Sequence, residues 1–217
     1  MAKHMKILFT IGLTIFLSNT VFGTEQYPDK IIYKGKEYDL YSYPLECYFK
    51  KHPDKRPEGP RSSALWRRYV ATFEIKDNQL YIKNIELMIH TFNKKEGHKT
   101  KYKSVLNEVF PNQELVKLDC ITGLLHLSYT GGSFLLEINN GDLKTEKQFN
   151  DEEYEEFKEK QFQIFKKTEE YEKIKAEFLK EKEEEDDDDD YDEYIDYFLQ
   201  NFVIEYTSKI LVEDDEE

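Results

Sequence analysis

The last 67 residues of this 217-residue chain contain no glycine and no proline. All six prolines and seven of the nine glycines lie in residues 24–150, where they separate short elements. The charge changes at the same place. Residues 24–150 hold 20 Lys and Arg against 17 Asp and Glu, whereas residues 151–217 hold 9 against 28, a net charge of −19. Such composition is typical of long helices and solvated acidic segments, so we divide the chain near Asn150.

Residues 1–23 have the pattern of a secretory signal peptide. A short basic start with Lys3 and Lys6 leads into eleven mostly apolar residues, 7–17, and the segment ends at the small residue Gly23. Eleven helical residues span about 16 Å, too little for a hydrocarbon core of about 30 Å. We therefore expect cleavage after Gly23, no transmembrane anchor in the mature chain, and a secreted or periplasmic protein.

Residues 24–150 predict a β-rich domain. Apolar residues alternate with polar ones on both sides of short turns, as in β-hairpins. The predicted hairpins cover residues 31–40, 69–89 and 124–138. A further strand is predicted near Leu143, and short helices over residues 44–49 and 102–110. These elements predict an α+β fold: a mainly antiparallel β-sheet, as a meander or a partial barrel, with short helices against it.

An acidic helical C-terminal extension follows the sheet. Large apolar residues recur at seven-residue intervals: Phe157, Ile164, Tyr171 and Phe178. They predict an amphipathic acidic helix over residues 151–182 that packs on the sheet or on a partner. Eight consecutive acids, 183–190, favour a disordered acidic linker over residues 183–194. A terminal helix and acidic tail are predicted over residues 195–217, although residues 202–204 also fit a strand.

The two cysteines, Cys47 and Cys120, have two interpretations. In an oxidising compartment they form a disulfide that closes a loop of 73 residues. Alternatively they are two separate buried thiols, because spacing alone does not show that two cysteines are close in space.

Catalytic and metal-binding signatures are missing from the sequence. No nucleophile elbow, zinc-protease motif, dinucleotide-binding loop or Cys-x-x-Cys pair is present. The histidines after the signal do not share a ligand spacing: His52, His90, His98 and His126. The acids 186–190 with Asp192 invite a calcium interpretation, but Tyr191 and Tyr197 stand where an EF-hand needs Gly and Glu. We therefore expect no catalytic residue, no metal site and no cofactor.

The charge distribution constrains the partner. A net charge of −16 for residues 24–217 repels the phosphates of nucleic acids and anionic membrane surfaces. The same charge accelerates encounter with a cationic protein. The sequence therefore favours a basic protein as partner and disfavours nucleic acid.

Residues 62–69 contain the strongest candidate binding residues. Trp66, Arg67 and Tyr69 follow a Pro- and Gly-rich loop and enter the second predicted hairpin. Trp, Arg and Tyr dominate the energetics of protein interfaces, which predicts a binding surface here. The alternative is that Trp66 and Tyr69 fill the core at one end of the sheet.

Residues 62–82, Ser-Ser-Ala-Leu-Trp-Arg-Arg-Tyr-Val-Ala-Thr-Phe-Glu-Ile-Lys-Asp-Asn-Gln-Leu-Tyr-Ile, resemble the core of an uncharacterised family of bacterial proteins. In that family a Trp-Arg-Gly-Tyr stretch runs into an Ala-Thr-Trp/Phe-Glu-Ile strand and a Leu-Tyr return strand. Residues 33–38, 44–46 and 122–125 are similar too, and the likeness spans about residues 30–145. The chain differs at Arg68, where the family has Gly. The resemblance implies one β-rich domain of bacterial origin and no known activity.

These observations favour an exported, non-enzymatic binding protein whose acidic C-terminal region engages a basic protein. One alternative is an enzyme that hydrolyses envelope polymers with paired carboxylates such as Glu74 and Glu86, which alternate with apolar residues in the second hairpin. Another is a low-affinity cation-binding structural protein of the envelope.

Overall fold

A computed structural model describes residues 26–94, 97–113, 115–182 and 191–212. The predicted signal peptide, the run of acids 183–190 and the acidic residues 213–217 lie outside these ranges. The strands are β1 (Asp29–Tyr33), β2 (Lys36–Leu40), β3 (Val70–Lys76), β4 (Gln79–Asn93), β5 (Gly97–Ser104), β6 (Val116–Lys117), β7 (Gly123–Tyr129), β8 (Gly132–Asn139) and β9 (Asp142–Phe149). The helices are α1 (Glu46–Lys51), α2 (Leu106–Val109), α3 (Asp151–Phe165), α4 (Glu169–Lys182), α5 (Tyr191–Asn201) and α6 (Val203–Tyr206), with a 3₁₀ turn at Pro53–Lys55.

The nine strands of the described residues form one mixed, mostly antiparallel sheet, which confirms the predicted α+β fold class. Its order is β3-β1-β2-β7-β8-β9-β4-β5, and β6 pairs with β4. Strand β3 also pairs with β4, so the sheet closes on itself. Only β1 and β3 pair in parallel. Two of the strand pairings in this closed sheet are short: β2 and β7 share two residue pairs, and β4 and β9 share one.

The three predicted hairpins are present as β1–β2, β3–β4 and β7–β8. The predicted helix over residues 102–110 is wrong in its first half. Residues up to Ser104 belong to β5, which pairs with β4 from Gly97 to Ser104, and only Leu106–Val109 is helical. Pairing with a long neighbouring strand overrides local propensity here.

The inner face of the sheet surrounds the main core. Fully buried members include Ile31, Leu40, Phe73, Ile82 and Leu136. Helix α1 covers one side of this core with Phe49. The structure joins Cys47 of α1 to Cys120, which precedes β7, by a disulfide with a Cα–Cα distance of 5.8 Å. Of the two interpretations of the cysteines, the structure therefore has the disulfide and not two separate thiols.

The C-terminal helices build a second core on the outer face of β7 and β8. Leu124 and Leu135 supply the sheet side of this outer core. The helices contribute Phe157, Phe162, Phe165, Tyr171, Ile195, Leu199, Val203 and Ile204. The aromatic stripe therefore packs back on the sheet, as one of the two predicted alternatives has it. No helix of the described residues is long and apolar enough to cross a membrane.

The predicted single helix over residues 151–182 consists of two helices. Asn150 and Glu153 form a reciprocal capping box at the start of α3. Thr168 separates α3 from α4, because its hydroxyl donates to the Phe165 carbonyl and accepts from the Tyr171 amide. Helix α5 begins at Tyr191, so the residues 191–194 that were expected in the linker are helical.

Candidate functional site

Arg67, a predicted binding residue, lies in the interior. Its side chain has no solvent exposure, and neither has that of its ion-pair partner Asp29. Nη2 of Arg67 donates to the Tyr27 carbonyl at 2.8 Å and to Oδ1 of Asp29 at 3.2 Å. The guanidinium carbon is 3.6 Å from the ring centroid of Tyr43. These contacts fix the segment before β3 against β1, so Arg67 has a structural position.

Tyr69, the third predicted binding residue, is also fully buried. Its hydroxyl donates to Oε1 of Glu46 at 2.7 Å, and its ring packs edge-to-face on Phe49. Glu46 also accepts two hydrogen bonds from Arg56, at 2.8 and 2.5 Å. This network ties α1 to the start of β3.

Trp66 is the one predicted binding residue that reaches the surface. Its side chain is 44% exposed and packs edge-to-face on Tyr43. The structure therefore does not bring Trp66, Arg67 and Tyr69 together on one open surface. The neighbouring Arg68 has φ of +71°, a conformation that glycine adopts without strain. Glycine would therefore be accommodated at this position.

A pocket of about 320 Å³ lies between the sheet and the helical layer, and we call it the seam pocket. Its polar lining comes from the segment after β2 and from β7, α3, α5 and α6: Ser42, His126, Tyr154, Glu155, Lys158, Asn201 and Glu205. Tyr41 and Phe202 add aromatic surface. The sequence pattern predicts no role for His126, because the histidines lack a shared zinc-ligand spacing. The available signal was a histidine among leucines on the face of β7 that the helices cover.

The imidazole of His126 stacks on the Tyr154 ring with a centroid distance of 4.2 Å and an interplanar angle of 6°. Burial lowers the pKa of His126 to about 4, with a smaller contribution from the Lys158 ammonium. The imidazole is therefore neutral at pH 7. Burial likewise raises the pKa of the Tyr154 phenol above its ordinary value. Both rings thus form an uncharged wall of the pocket.

Two buried polar atoms of the seam pocket have no hydrogen-bond partner among the described residues: Oγ of Ser42 and Nε2 of His126. Glu205 is partly solvent-exposed, but neighbouring protein atoms desolvate its carboxyl and raise its pKa. Ser42 and His126 do not hydrogen-bond to each other, so they do not form an activated nucleophile and base. The arrangement is that of a binding pocket with unsatisfied polar groups.

Helix α5 presents a second surface, which we call the acidic tyrosine face: Glu193, Tyr194, Tyr197 and Asn201. Tyr194 is 56% exposed and Tyr197 is 68% exposed. The opposite side of α5 is anchored in the outer core by Ile195 and Leu199. The helix is therefore held by one side while its aromatic residues on the other side contact solvent.

The carboxylates Glu74 and Glu86 do not form a close pair. Glu86 lies opposite Val70, four residues before Glu74 on β3, which is about 13 Å along a strand. Glu74 forms an ion pair with Lys83 at 2.9 Å. Carboxylates that hydrolyse glycosidic bonds are about 5–9.5 Å apart, so this hairpin does not have that geometry.

Groups of three or more His, Cys, Asp or Glu that could hold a metal ion are absent from the part of the chain that the structure describes. The candidate calcium ligands 186–190 lie outside it. No family model, no curated protein and no solved structure matches this chain. The likeness of residues 62–82 to a bacterial family therefore stays a prediction.

Proposed function

We propose that this protein is an exported, non-enzymatic binding protein that engages a basic protein through the acidic tyrosine face. The observation that carries the proposal is the exposure of Tyr194 and Tyr197 on a helix whose other side is anchored in the outer core. Eight acids, 183–190, directly precede this helix in the sequence, and five more, 213–217, end the chain.

Tyrosine and acidic residues suit a cationic partner for different reasons. Tyrosine supplies a rigid ring with a polar hydroxyl, and its π face attracts Lys and Arg cations. The acids raise the rate of encounter with a positively charged protein, more strongly at low salt. Tyr194 stacks on Phe198, yet Tyr194 and Tyr197 both keep more than half of their surface in solvent. This exposed aromatic surface supports recognition of a partner.

The test uses surface substitutions in the intact chain. Deleting residues 151–217 would expose Leu124 and Leu135 on the sheet. A truncated chain that fails to bind would therefore not distinguish misfolding from loss of the binding surface. The double variant Tyr194→Ala/Tyr197→Ala leaves the outer core in place. A purified lysozyme and other basic proteins serve as probes, with a neutral protein for comparison, and the dissociation constant is measured at low and high salt.

We expect the double variant to bind the basic probe at least about 30-fold more weakly, since the loss of a single aromatic hot-spot residue costs about 2 kcal/mol. The matched control is Phe92→Ala/Tyr102→Ala, which removes two exposed aromatic residues from β4 and β5. Equal weakening in both double variants would contradict the proposed surface. Binding that is no tighter to basic than to neutral proteins would overturn the choice of partner.

Export is tested separately. In a bacterium that expresses the full chain, we expect the exported protein to begin at Thr24 by N-terminal sequencing. A chain that keeps residues 1–23 and stays in the cytosol would overturn this part of the proposal.

A further inference from the structure

The seam pocket has more hydrogen-bond acceptors than the described residues satisfy. Ser42 Oγ and His126 Nε2 are buried and have no partner there. The Glu205 carboxylate forms no ion pair within the described ranges, and desolvation raises its pKa. Burying polar groups without partners costs about 1–3 kcal/mol each. A ligand that supplies donors to Ser42 Oγ and His126 Nε2 would remove that cost, and the solvent-exposed Glu205 adds a carboxylate to the same pocket.

The charge of the pocket defines the ligand further. Lys158 pairs with Glu155 at 2.8 Å, so these two charges offset each other. Glu205 then remains as the uncompensated charge of the polar lining. The ligand group that fits is therefore a monocation.

The aromatic surfaces distinguish between two monocations. Tyr41 and Phe202 line the pocket and are 43% and 41% exposed, whereas the Tyr154 ring already stacks on His126. A guanidinium is planar, stacks on aromatic rings and has five N–H donors and no acceptor, whereas an ammonium has three donors and no flat face. A carboxylate accepts two parallel hydrogen bonds from a guanidinium. Ser42 Oγ and His126 Nε2 can accept the remaining ones, the latter when the proton of the neutral ring is on Nδ1.

We propose that the seam pocket binds the guanidinium group of an arginine side chain, with Glu205, Ser42 and His126 as acceptors. This inference rests on the proposed function, since the arginine belongs to the basic partner. Asn201 belongs to both the pocket wall and the acidic tyrosine face. A partner on that face therefore lies beside the pocket. The volume of about 320 Å³ is at the small end of ligand pockets, which suits one side chain.

The test is calorimetric titration of the full chain with N-acetyl-L-arginine amide. N-acetyl-L-citrulline amide, a neutral analogue of nearly the same shape, is the comparison ligand. We expect roughly millimolar affinity for the arginine compound and at least about tenfold weaker binding of the citrulline compound. Equal affinity for the two compounds, or no heat at about 10 mM of the arginine compound, would overturn the inference.

Two variants locate the site. Glu205→Gln is expected to weaken binding of the arginine compound by about tenfold, while Glu170→Gln, the same change at an exposed position of α4, leaves binding unchanged. Ser42→Ala is expected to lower the affinity for the arginine compound about threefold. It should not change the thermal unfolding midpoint, because the hydroxyl has no hydrogen-bond partner among the described residues. Equal binding by the two Gln variants would place the ligand elsewhere and overturn the assignment.

The outcomes also separate this inference from the proposed function. If the basic probe protein depends on Tyr194 and Tyr197 but the arginine compound does not bind, the proposed function stands and the pocket assignment fails. If the arginine compound binds with the expected Glu205 dependence while no basic protein binds, the pocket recognises free guanidinium compounds. That result would overturn the proposal that the partner is a basic protein, and with it the proposal that the guanidinium belongs to an arginine of that partner.

Discussion

The ion pair between Arg67 and Asp29 connects the segment before β3 to β1, and neither side chain contacts solvent. Oδ1 of Asp29 also accepts a hydrogen bond from the Ala71 amide at 2.9 Å. Burial raises the pKa of Asp29 to about 6, although the Arg67 charge opposes this shift. Each charge has lost its hydration, so each depends on the other for compensation.

Removing one member of this pair should therefore be costly. We expect Asp29→Ala to lower the free energy of unfolding by about 3–5 kcal/mol, because it leaves a buried guanidinium without a counter-charge. Asp39→Ala, which breaks the exposed pair with Lys30, should cost under about 1 kcal/mol. Urea unfolding measures both values. Equal losses would show that burial does not control the energetics of these pairs.

His126 gives the molecule a pH-dependent contribution to stability. Its pKa is about 4 in the folded chain and about 6.5 when unfolded. Between these values the unfolded chain binds the additional proton, so this contribution to the unfolding free energy decreases as the pH falls from about 6.5 to about 4. Asp29 acts in the opposite direction, because a raised carboxyl pKa costs stability as the pH rises from about 4 to about 6.

A comparison of variants isolates the histidine from other groups. When the pH falls from about 7 to about 4.5, the wild type should lose roughly 1–3 kcal/mol more unfolding free energy than His126→Gln does. His98→Gln, which changes an exposed histidine on β5, is the matched control variant. Parallel pH profiles for wild type and His126→Gln would contradict the burial of this imidazole.

Residue types alone could not decide where Trp66, Arg67 and Tyr69 lie. Trp and Tyr serve both interiors and interfaces, because they combine a large apolar surface with one polar group. A buried Arg is uncommon and needs a partner. The partner here is Asp29, 38 positions earlier in the chain, and only the fold shows that the two meet. The seam pocket was missed for the same reason, since it combines residues from distant segments.

At the scale of elements, turn chemistry made the hairpins predictable. The turns at Lys34–Gly35, Asp77–Asn78 and Asn140–Gly141 all have positive φ at both residues. This geometry joins antiparallel strands and favours Gly, Asn and Asp. Strand β5 was not predictable in this way, because its side chains are mostly exposed and show no alternation of apolar and polar residues. The break between α3 and α4 depends on one hydroxyl, that of Thr168.

The helical layer should depend on its buried aromatic residues more than on its helical propensity. Phe165 is fully buried in the outer core, whereas the adjacent Ile164 is 37% exposed. We expect Phe165→Ala to lower the unfolding free energy by about 3–5 kcal/mol and Ile164→Ala by less than about 1 kcal/mol. Denaturant titrations followed by circular dichroism measure both. Similar losses would mean that α3 does not pack on the sheet through Phe165.

At the scale of the whole molecule, the acidic charge is unevenly distributed over the C-terminal part. Residues 151–182 contain 11 acids and 8 lysines, so the two helices α3 and α4 are close to neutral. The runs 183–190 and 213–217 contribute 13 acids, and they flank the segment that includes α5 and α6. In the sequence, the charge is therefore concentrated on both sides of the segment that forms α5 and α6, while these helices are fixed to the sheet by the outer core.

The disulfide joins distant parts of the chain across the main core. It links α1 to the segment before β7 and closes a loop of 73 residues. A crosslink of this length restricts the unfolded chain and stabilises the fold by about 4 kcal/mol in the chain-entropy model. Because Phe49 and its neighbours still fill the core, the fold should persist without the bond at reduced stability.

The double variant Cys47→Ser/Cys120→Ser tests this contribution. Its unfolding free energy should be lower than that of the oxidised wild type by about 4 kcal/mol, and reduced wild type should match it. A reductant should not change the unfolding free energy of the variant, because the variant has no disulfide. Any change that does occur in the variant measures other effects of the reductant. If wild type and variant unfold at the same urea concentration under oxidising conditions, the crosslink does not constrain the unfolded chain, and the closed sheet is held by its core alone.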